Sequence, residues 1–486
     1  MKEQEKEMTE KKHTPGILIA APMSGSGKTT FTVGLLSALK DMGRNVCSFK
    51  CGPDYIDPMY HTKTLGIPCR NLDTWFTDEK MTRSLFHADD TDEEQIHVVE
   101  GVMGLYDGVA GTEKEGSSYD LARVLGLPIL LVVPARGMGR SVIALIKGFQ
   151  AEDTEGLLRG VVLNQISEAF YQRLAPLIEA ETGLSCLGFL PKDERLTVPG
   201  RYLGLTTPSP DGKKEGWDAD FVRAAGETIK KQLDWEGFFR IAGSDAGSPN
   251  MKERVFAKTT VGKNDKKKVI LAVARDEAFS FLYEDNLRLL AEQGVEFRFF
   301  SPLHDDRLPE GISGLLLSGG YPELYADQLS ENRSMREDIR KKILQGLPAV
   351  AECGGFLYLM EEMADAEGRL RPMTGAISGR AYPAGRSIRF GYVEIEELVP
   401  SFLPEGLRLK GHEFHYFEAT EKGTSCRITK PVTGRSWTGI VTNATLWAGF
   451  PHIYYPAEPR FAEVFAEKMR KEKRREEADG EHVLYS

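Results

Sequence analysis

No stretch of 18 consecutive apolar residues occurs in the 486-residue chain, which argues against a membrane-spanning helix. The opening Met1 to His13 is too polar for a secretory signal peptide. Cysteine is sparse, with six in all (Cys47, Cys51, Cys69, Cys186, Cys353, Cys426) and no CxxC spacing. Such a set offers neither a disulfide framework nor a structural zinc site, and it reads as free thiols in a cytoplasmic protein. Positive charge is the minority, 62 Lys and Arg against 72 Asp and Glu, a formal net charge of -10. Nucleic acid and anionic membrane are therefore poor candidates for a main partner. There is no internal repeat and no long low-complexity tract. With 41% hydrophobic and 28% charged residues, a chain of this length makes two or three globular domains.

The most informative stretch is Ala21-Pro22-Met23-Ser24-Gly25-Ser26-Gly27-Lys28-Thr29-Thr30. It follows the apolar run Gly16–Ala20, which reads as a buried strand, and precedes Phe31 to Met42, whose apolar spacing suits a helix. Strand, glycine-rich turn and helix form the context of a phosphate-binding loop, here a variant with Pro22 at the usual first glycine. Gly25 and Gly27 let backbone approach a polyphosphate, and the helix start presents unpaired N–H groups to it. Lys28 supplies positive charge near the β/γ-phosphates, and Thr29 a hydroxyl for Mg²⁺. The expected ligand is a nucleoside triphosphate.

Strands are expected at Asn45–Lys50, Ile96–Glu100, Pro128–Val133 and Gly160–Asn164, with helices such as Ser141–Gln150 and Ala169–Thr182 between them. That alternation implies a doubly wound parallel sheet with ligands at the carboxyl ends of the strands. Asp54, Asp57, Glu100 and Asp107 all follow strand ends. Asp54 and Glu100 are the natural direct or water-mediated metal ligands, and Lys50 can neutralise charge between phosphate and an acceptor carboxylate. Each acid alone could equally cap a helix or turn. Asn164 fits a base edge or a plain turn equally well, and Arg136 and Arg140 fit phosphate contacts or solvent. Trp217 to Phe239 has helical spacing expected to pack back on this domain. Ala242 to Lys268 is polar and lysine-rich, a linker.

The second half begins with a strand at Val269–Val273, a helix over Tyr283–Gln293 and a strand at Glu296–Phe300. Gly314-Leu315-Leu316-Leu317-Ser318-Gly319-Gly320 reads as a strand into a glycine turn. In Ala349-Val350-Ala351-Glu352-Cys353-Gly354-Gly355 an apolar strand delivers a cysteine onto a tight turn before a helix. A thiol placed there favours its thiolate, and the following N–H, with those near Gly320, can form an oxyanion hole. Cys353 is thus a candidate nucleophile. Its base could be His412, His415 or His452, and sequence distance does not choose among them.

Together these motifs resemble the cobyrinic acid a,c-diamide synthases. The phosphate loop, Cys-Gly-Pro-Asp-Tyr-Ile-Asp-Pro (51–58), Val-Glu-Gly-Val-Met-Gly-Leu-Tyr-Asp-Gly (99–108), Arg-Gly-Met (136–138) and Val-Leu-Asn-Gln (162–165) look like the synthetase half. Leu-Ser-Gly-Gly-Tyr-Pro-Glu (317–323), Glu-Cys-Gly-Gly (352–355) and Gly-His-Glu-Phe-His-Tyr (411–416) look like the glutaminase half. The resemblance covers about residues 15 to 458 and implies a glutamine-dependent amidoligase of corrinoid (vitamin B12) biosynthesis. The implied fold is two α/β domains: a P-loop, dethiobiotin-synthetase-like doubly wound sheet, then a flavodoxin-like class I glutamine amidotransferase domain. The expected boundaries are a disordered tail over 1–14, a synthetase domain over 15–245, a linker over 246–266, the amidotransferase over 267–458, and a charged surface helix or tail over 459–486.

By position the resemblance assigns Gly25, Gly27, Lys28, Thr29, Thr30, Lys50 and Asn164 to ATP. It assigns Thr29, Asp54 and Glu100 to Mg²⁺, and Asp54, Tyr55, Ile56, Asp57 and Asp107 to the corrinoid carboxylates. Cys353 matches the nucleophile, His452 its activating histidine, and Gly320 and Gly354 the oxyanion hole. Cobyrinate, L-glutamine and ATP are the implied partners, with a shielded path for ammonia and a homodimer left open. Three positions depart from the family pattern: Pro134 replaces an aspartate and Tyr202 a histidine, while Tyr454 stands where many class I amidotransferases orient the histidine with glutamate. Rival readings are the same chemistry on hydrogenobyrinate or nickel-sirohydrochlorin, a P-loop switch ATPase, and a binding protein with a dead glutaminase half.

Overall fold

The apolar runs of the first half pair as a single sheet. A computed structural model describes residues 15–90, 95–196, 215–243, 268–385 and 389–484. The expected N-terminal tail, the expected linker and Tyr202 lie outside those residues. Contacts divide the chain into two units, Met1–Phe256 and Ala257–Ser486. No helix among the described residues is long and apolar enough to cross a membrane.

In the first unit Gly16–Ala20 (β1), Val46–Cys51 (β2), Cys69–Leu72 (β3), Ile96–Glu100 (β4), Ile129–Pro134 (β5), Leu158–Asn164 (β6) and Ser185–Leu190 (β7) form one sheet. Their order is β3-β2-β4-β1-β5-β6-β7, and every pairing is parallel. Strands covered on both faces need continuous apolar sequence, and β1 (Gly-Ile-Leu-Ile-Ala) is buried throughout. Two of the seven strands, β3 and β7, are additions to the expected five. The former is only Cys-Arg-Asn-Leu, and the latter is interrupted by Gly188.

The helix Lys28–Asp41 buries Phe31, Val33, Leu35, Leu36, Ala38 and Leu39. A second helix, Glu215–Gln232, packs on it through Phe221, Ala225 and Ile229. The two backbones approach at Gly34, where a Cβ would stand 2.8 Å from the Ala225 carbonyl oxygen. The single helix expected over Trp217–Phe239 is broken after Gln232, where Leu233 bridges to Gly188, and resumes at Trp235–Gly243.

The second unit carries a six-stranded sheet in the order Val295–Phe300, Val269–Ala274, Gly314–Leu317, Ala349–Glu352, Leu446–Gly449, Val441–Thr442. All pairs but the last are parallel. Five more strands form an antiparallel sheet: Ser436–Gly439, Cys426–Thr429, Arg389–Glu397, Arg408–His415 and His452–Ile453. Its register sets His412 opposite His452.

The C-terminal helix, Arg460–Leu484, departs from the expected surface helix. Phe461, Ala462, Phe465, Ala466 and Met469 are fully buried with Val269, Leu271 and Trp447, so its first half belongs to the core. Phe465→Ala should cost about 3–5 kcal/mol through lost burial and the cavity left behind. Equilibrium denaturation of the full chain checks this, and a loss below about 1 kcal/mol would place the helix outside the core.

Candidate functional site

At the end of β1 the chain turns with φ of 78° at Gly25 and 96° at Gly27, and Gly27 opens the helix that follows. A side chain at Gly27 is excluded twice over, by that conformation and by the Asn164 amide, whose Nδ2 lies 2.2 Å from where a Cβ would be. Asn164 Nδ2 donates to the Ser26 carbonyl oxygen at 2.8 Å. The end of β6 therefore braces the loop through one of the two amide N–H groups of Asn164.

The next two residues meet buried charge. Lys28 Nζ donates to the Met103 carbonyl. Burial first and Lys50 second bring its pKa down to about 8. Thr29 Oγ1 donates to Glu100 Oε1 at 2.8 Å, and the same oxygen lies 3.2 Å from Lys50 Nζ. Lys50 also pairs with Asp57 Oδ2 at 2.6 Å and reaches within 3.9 Å of Asp54 Oδ2. Burial disfavours its charge, but Asp57, Glu100 and Asp54 together keep it protonated. Burial likewise works against an ionised Glu100, yet Lys50 and His61 hold it well below the usual carboxylate range.

Among the other candidates, Asp54 Oδ1 accepts from the Ile56 N–H at 2.7 Å, closing a turn. Burial and the neighbouring Asp57 push the Asp54 carboxyl up to about 6, against Lys50. Tyr55 and Asp57 are buried beside it, with Ile56 partly covered. Asp107 Oδ2 accepts from the Gly104 N–H at 2.9 Å and so shapes the loop that receives Lys28. Thr30 Oγ1 donates to the Leu196 carbonyl, and Arg140 pairs with Glu181 at the surface.

One residue of this cluster carries no sequence signal beyond its spacing. His61, fully buried, stands 3.2 Å from the second oxygen of Glu100 through Nε2 and 3.0 Å from Ser48 Oγ through Nδ1. Burial opposes its charge, but Cys69 and Glu100 raise its pKa to about 10. It follows Asp57 by four residues along a helical segment, the separation that sets two side chains on one face.

In the second unit the strand Ala349–Glu352 ends at Cys353, whose φ of 48° and ψ of −106° are strained for a side-chain-bearing residue. A five-residue helix, Gly354–Tyr358, begins at once. The turn closes only because its neighbours are glycines. A Cβ at Gly355 would sit 2.2 Å from the Leu317 carbonyl oxygen, and one at Gly354 would lie 3.1 Å from Gly320 N. The segment at Gly320 is thereby held against the turn at Cys353.

Of the three candidate bases, His452 is the one in hydrogen-bond contact with Cys353. His412 is its cross-strand neighbour, and its ring is kept neutral by burial and by the charge on His452. His415 stacks on Phe450 at 3.9 Å and engages the Phe417 carbonyl. His452 Nδ1 lies 3.5 Å from Glu352 Oε2, and Glu352 Oε1 accepts from the Ile453 N–H at 3.2 Å. Burial opposes protonation of His452, but Cys353 and Glu352 raise its pKa to about 10. Tyr454, two residues beyond His452, turns to Tyr283 and Asp285. The segment is clamped by Asn286, which donates to the Ile453 carbonyl and accepts from the Tyr455 N–H, both at 2.8 Å.

These two centres correspond to two family models. One, the CobQ/CobB/MinD/ParA nucleotide binding domain, matches residues 17–203. The other, the CobB/CobQ-like glutamine amidotransferase domain, matches residues 270–459. The class is thus a glutamine amidotransferase fused behind a P-loop nucleotide-binding domain. Similarity to curated relatives extends across both halves. The cobyrinate a,c-diamide synthase of Priestia megaterium is 35% identical over 462 residues, covering 94% of this chain and 98% of the relative. That of Caldanaerobacter subterraneus subsp. tengcongensis is 37% identical over 440 residues (90% and 94%). That of Methanosarcina acetivorans is 36% identical over 434 (85% and 86%). The chain belongs to the cobyrinate a,c-diamide synthase family, and it is an enzyme, a glutamine-hydrolysing ligase of cobalamin biosynthesis.

Two glycine substitutions test the geometry. Gly27→Ala places a methyl group on Asn164 at a positive φ, so nucleotide affinity by calorimetry should fall about ten-fold or more. Gly319→Ala sets a methyl 2.3 Å from His452 Cε1 and displaces the ring. Glutamate release from glutamine should then drop about 10²-fold with nucleotide binding unchanged.

Proposed function

We propose that the enzyme amidates the a and c acetate side chains of cobyrinate, using one ATP and one glutamine for each. What supports this most is one chain holding both a P-loop threonine bonded to Glu100 and a cysteine touching a histidine at a strained turn. The family relatives are named for the same product class.

A carboxylate resists ammonia because its carbonyl is electron-rich and its leaving group would be oxide. In the proposed first step a side-chain carboxylate oxygen attacks the γ-phosphorus of ATP, ADP departs, and an acyl phosphate results. Lys28 and Lys50 offset the negative charge gathered there, while Gly25, Gly27 and the helix start at Lys28 orient the phosphates. Asp54, Tyr55, Ile56, Asp57 and Asp107 surround the acceptor, with Lys50 compensating their charge. Mg²⁺ fits this donor set: it needs few protein oxygens beside phosphate and water, and Thr29 Oγ1 and Glu100 offer hard ones. When bound, the ion supplies Lewis-acid stabilisation of the phosphoryl oxygens.

In the second unit the Cys353 proton resides on His452, and the thiolate sulfur attacks the carboxamide carbon of glutamine. The N–H groups of Gly354 and Gly320 face the developing oxyanion. His452 returns its proton to the departing nitrogen, ammonia leaves, and water hydrolyses the thioester to glutamate. Ammonia then adds to the acyl phosphate carbon and phosphate departs, leaving the amide.

Product mass spectrometry with cobyrinate, hydrogenobyrinate and nickel-sirohydrochlorin, each with ATP, Mg²⁺ and glutamine, tests the substrate. Cobyrinate should gain two amides, and preference for either rival would reassign it. Cys353→Ser should cut glutamate release by about 10³-fold or more while ammonium still supports amidation. Retained glutamine hydrolysis in that variant would remove the cysteine from the mechanism.

A further inference from the structure

The departure at Tyr454 leaves a question: what orients His452 in this chain? Class I amidotransferases commonly use a carboxylate two residues beyond the histidine, and Tyr454 has none to offer. Its ring and hydroxyl are turned to Tyr283 and Asp285.

A different carboxylate stands beside the His452 ring. Glu352 is the last residue of the strand Ala349–Glu352, directly before Cys353, and is paired in register with Gly449. That pairing carries the chain from Gly449 through Phe450 and Pro451 to His452, and brings the ring back over the strand end. The reversal at Cys353 then sends consecutive side chains to the same imidazole, the thiol touching it and Glu352 Oε2 standing 3.5 Å from Nδ1. Glu352 is itself fixed, because its other oxygen accepts the Ile453 N–H at 3.2 Å. It is 6% exposed and His452 2%, so the pair is shielded from water and its attraction is little screened.

We infer that Glu352 is the positioning residue of the glutaminase site, holding the His452 ring with its Nδ1–H toward the carboxylate and the other nitrogen toward Cys353. This rests on Cys353 and His452 acting as nucleophile and base. The chemistry balances without further groups. The thiol proton passes to His452, Glu352 stays ionised beside the resulting imidazolium, and the proton returns to the leaving nitrogen. A carboxylate held in this place selects the tautomer and stabilises the cation without taking the proton itself. Because nucleophile and orienting acid are neighbours in sequence, one strand end and one histidine make the whole constellation.

Glu352→Gln separates this role from simple packing, since the amide oxygen still accepts the Ile453 N–H while the charge is lost. In the full-length enzyme, glutamine hydrolysis should show kcat reduced about 10²-fold or more with KM for glutamine within about two-fold. Amidation driven by ammonium should be unchanged, which reports the fold and the nucleotide site. Iodoacetamide alkylation of Cys353, followed against pH by peptide mass spectrometry, should shift its midpoint to higher pH. Glu352→Asp, which keeps the charge, should recover part of both signals, and it serves as the test if the glutamine variant fails to fold. Wild-type kcat with an unmoved alkylation profile in Glu352→Gln would overturn the assignment, as would a folded Glu352→Asp as inactive in glutamine hydrolysis as Cys353→Ser. Should Cys353→Ser itself retain glutamine hydrolysis, the underlying nucleophile falls, an outcome distinct from any result at Glu352.

Discussion

Both chemical centres depend on one constraint: the backbone must leave a parallel strand and enter a helix through conformations that ordinary residues resist. At the nucleotide loop the difficulty is met by glycine, with positive φ at Gly25 and Gly27. At the cysteine turn it cannot be, because the residue that must take φ of 48° is the one with the sulfur. Such a conformation costs on the order of 1–3 kcal/mol and persists only where surroundings over-determine it. Here they do. The Cys353 N–H is bonded to the Gly449 carbonyl at 2.8 Å, and Gly355 lies flush on Leu317. The two neighbouring strands thus impose the turn, and the turn presents the thiol to His452.

The nucleotide site meets a different cost, that of burying charge. Lys50 is nearly inaccessible yet surrounded by Glu100, Asp57 and Asp54, and Glu100 in turn is gripped by Thr29, Lys50 and His61. Removing Lys50 would leave Asp57 and Glu100 short of positive charge in a poor solvent, which costs more than the pairs contribute. A network of this kind fixes side-chain directions before any ligand arrives. The surplus of carboxylates over cations in the first unit's cluster also leaves room for a bound cation and for the positive ends of backbone N–H groups.

How much of this was legible in sequence follows from where each signal resides. The parallel strands were, because a strand covered on both faces must be continuously apolar, as in Gly-Ile-Leu-Ile-Ala and Ile-Leu-Leu-Val-Val. The phosphate loop and the Glu-Cys-Gly-Gly turn were, because their chemistry is local. Strand β3 was not: its Arg70 and Asn71 are buried by partners from elsewhere, Asp89 at 3.0 Å and the Gly52 carbonyl at 2.9 Å. His61 and Glu352 escaped for the same reason, since each gains meaning only when distant strands set a second residue beside it. The residues alone left His412, His415 and His452 open, and it was the resemblance that singled out His452. The C-terminal helix misled because its charged outer face hides five core residues, Phe461 to Met469, at helical spacing.

The account as a whole is that one polypeptide activates a carboxylate with ATP and feeds it nitrogen drawn from glutamine at Cys353. The most direct measurement supplies glutamine labelled with ¹⁵N in its side-chain amide together with unlabelled ammonium at sub-saturating concentration, and weighs the amidated product. The account predicts that label enters both new amides and that no amide forms without ATP. A product carrying only unlabelled nitrogen, or one formed in the absence of ATP, would contradict it.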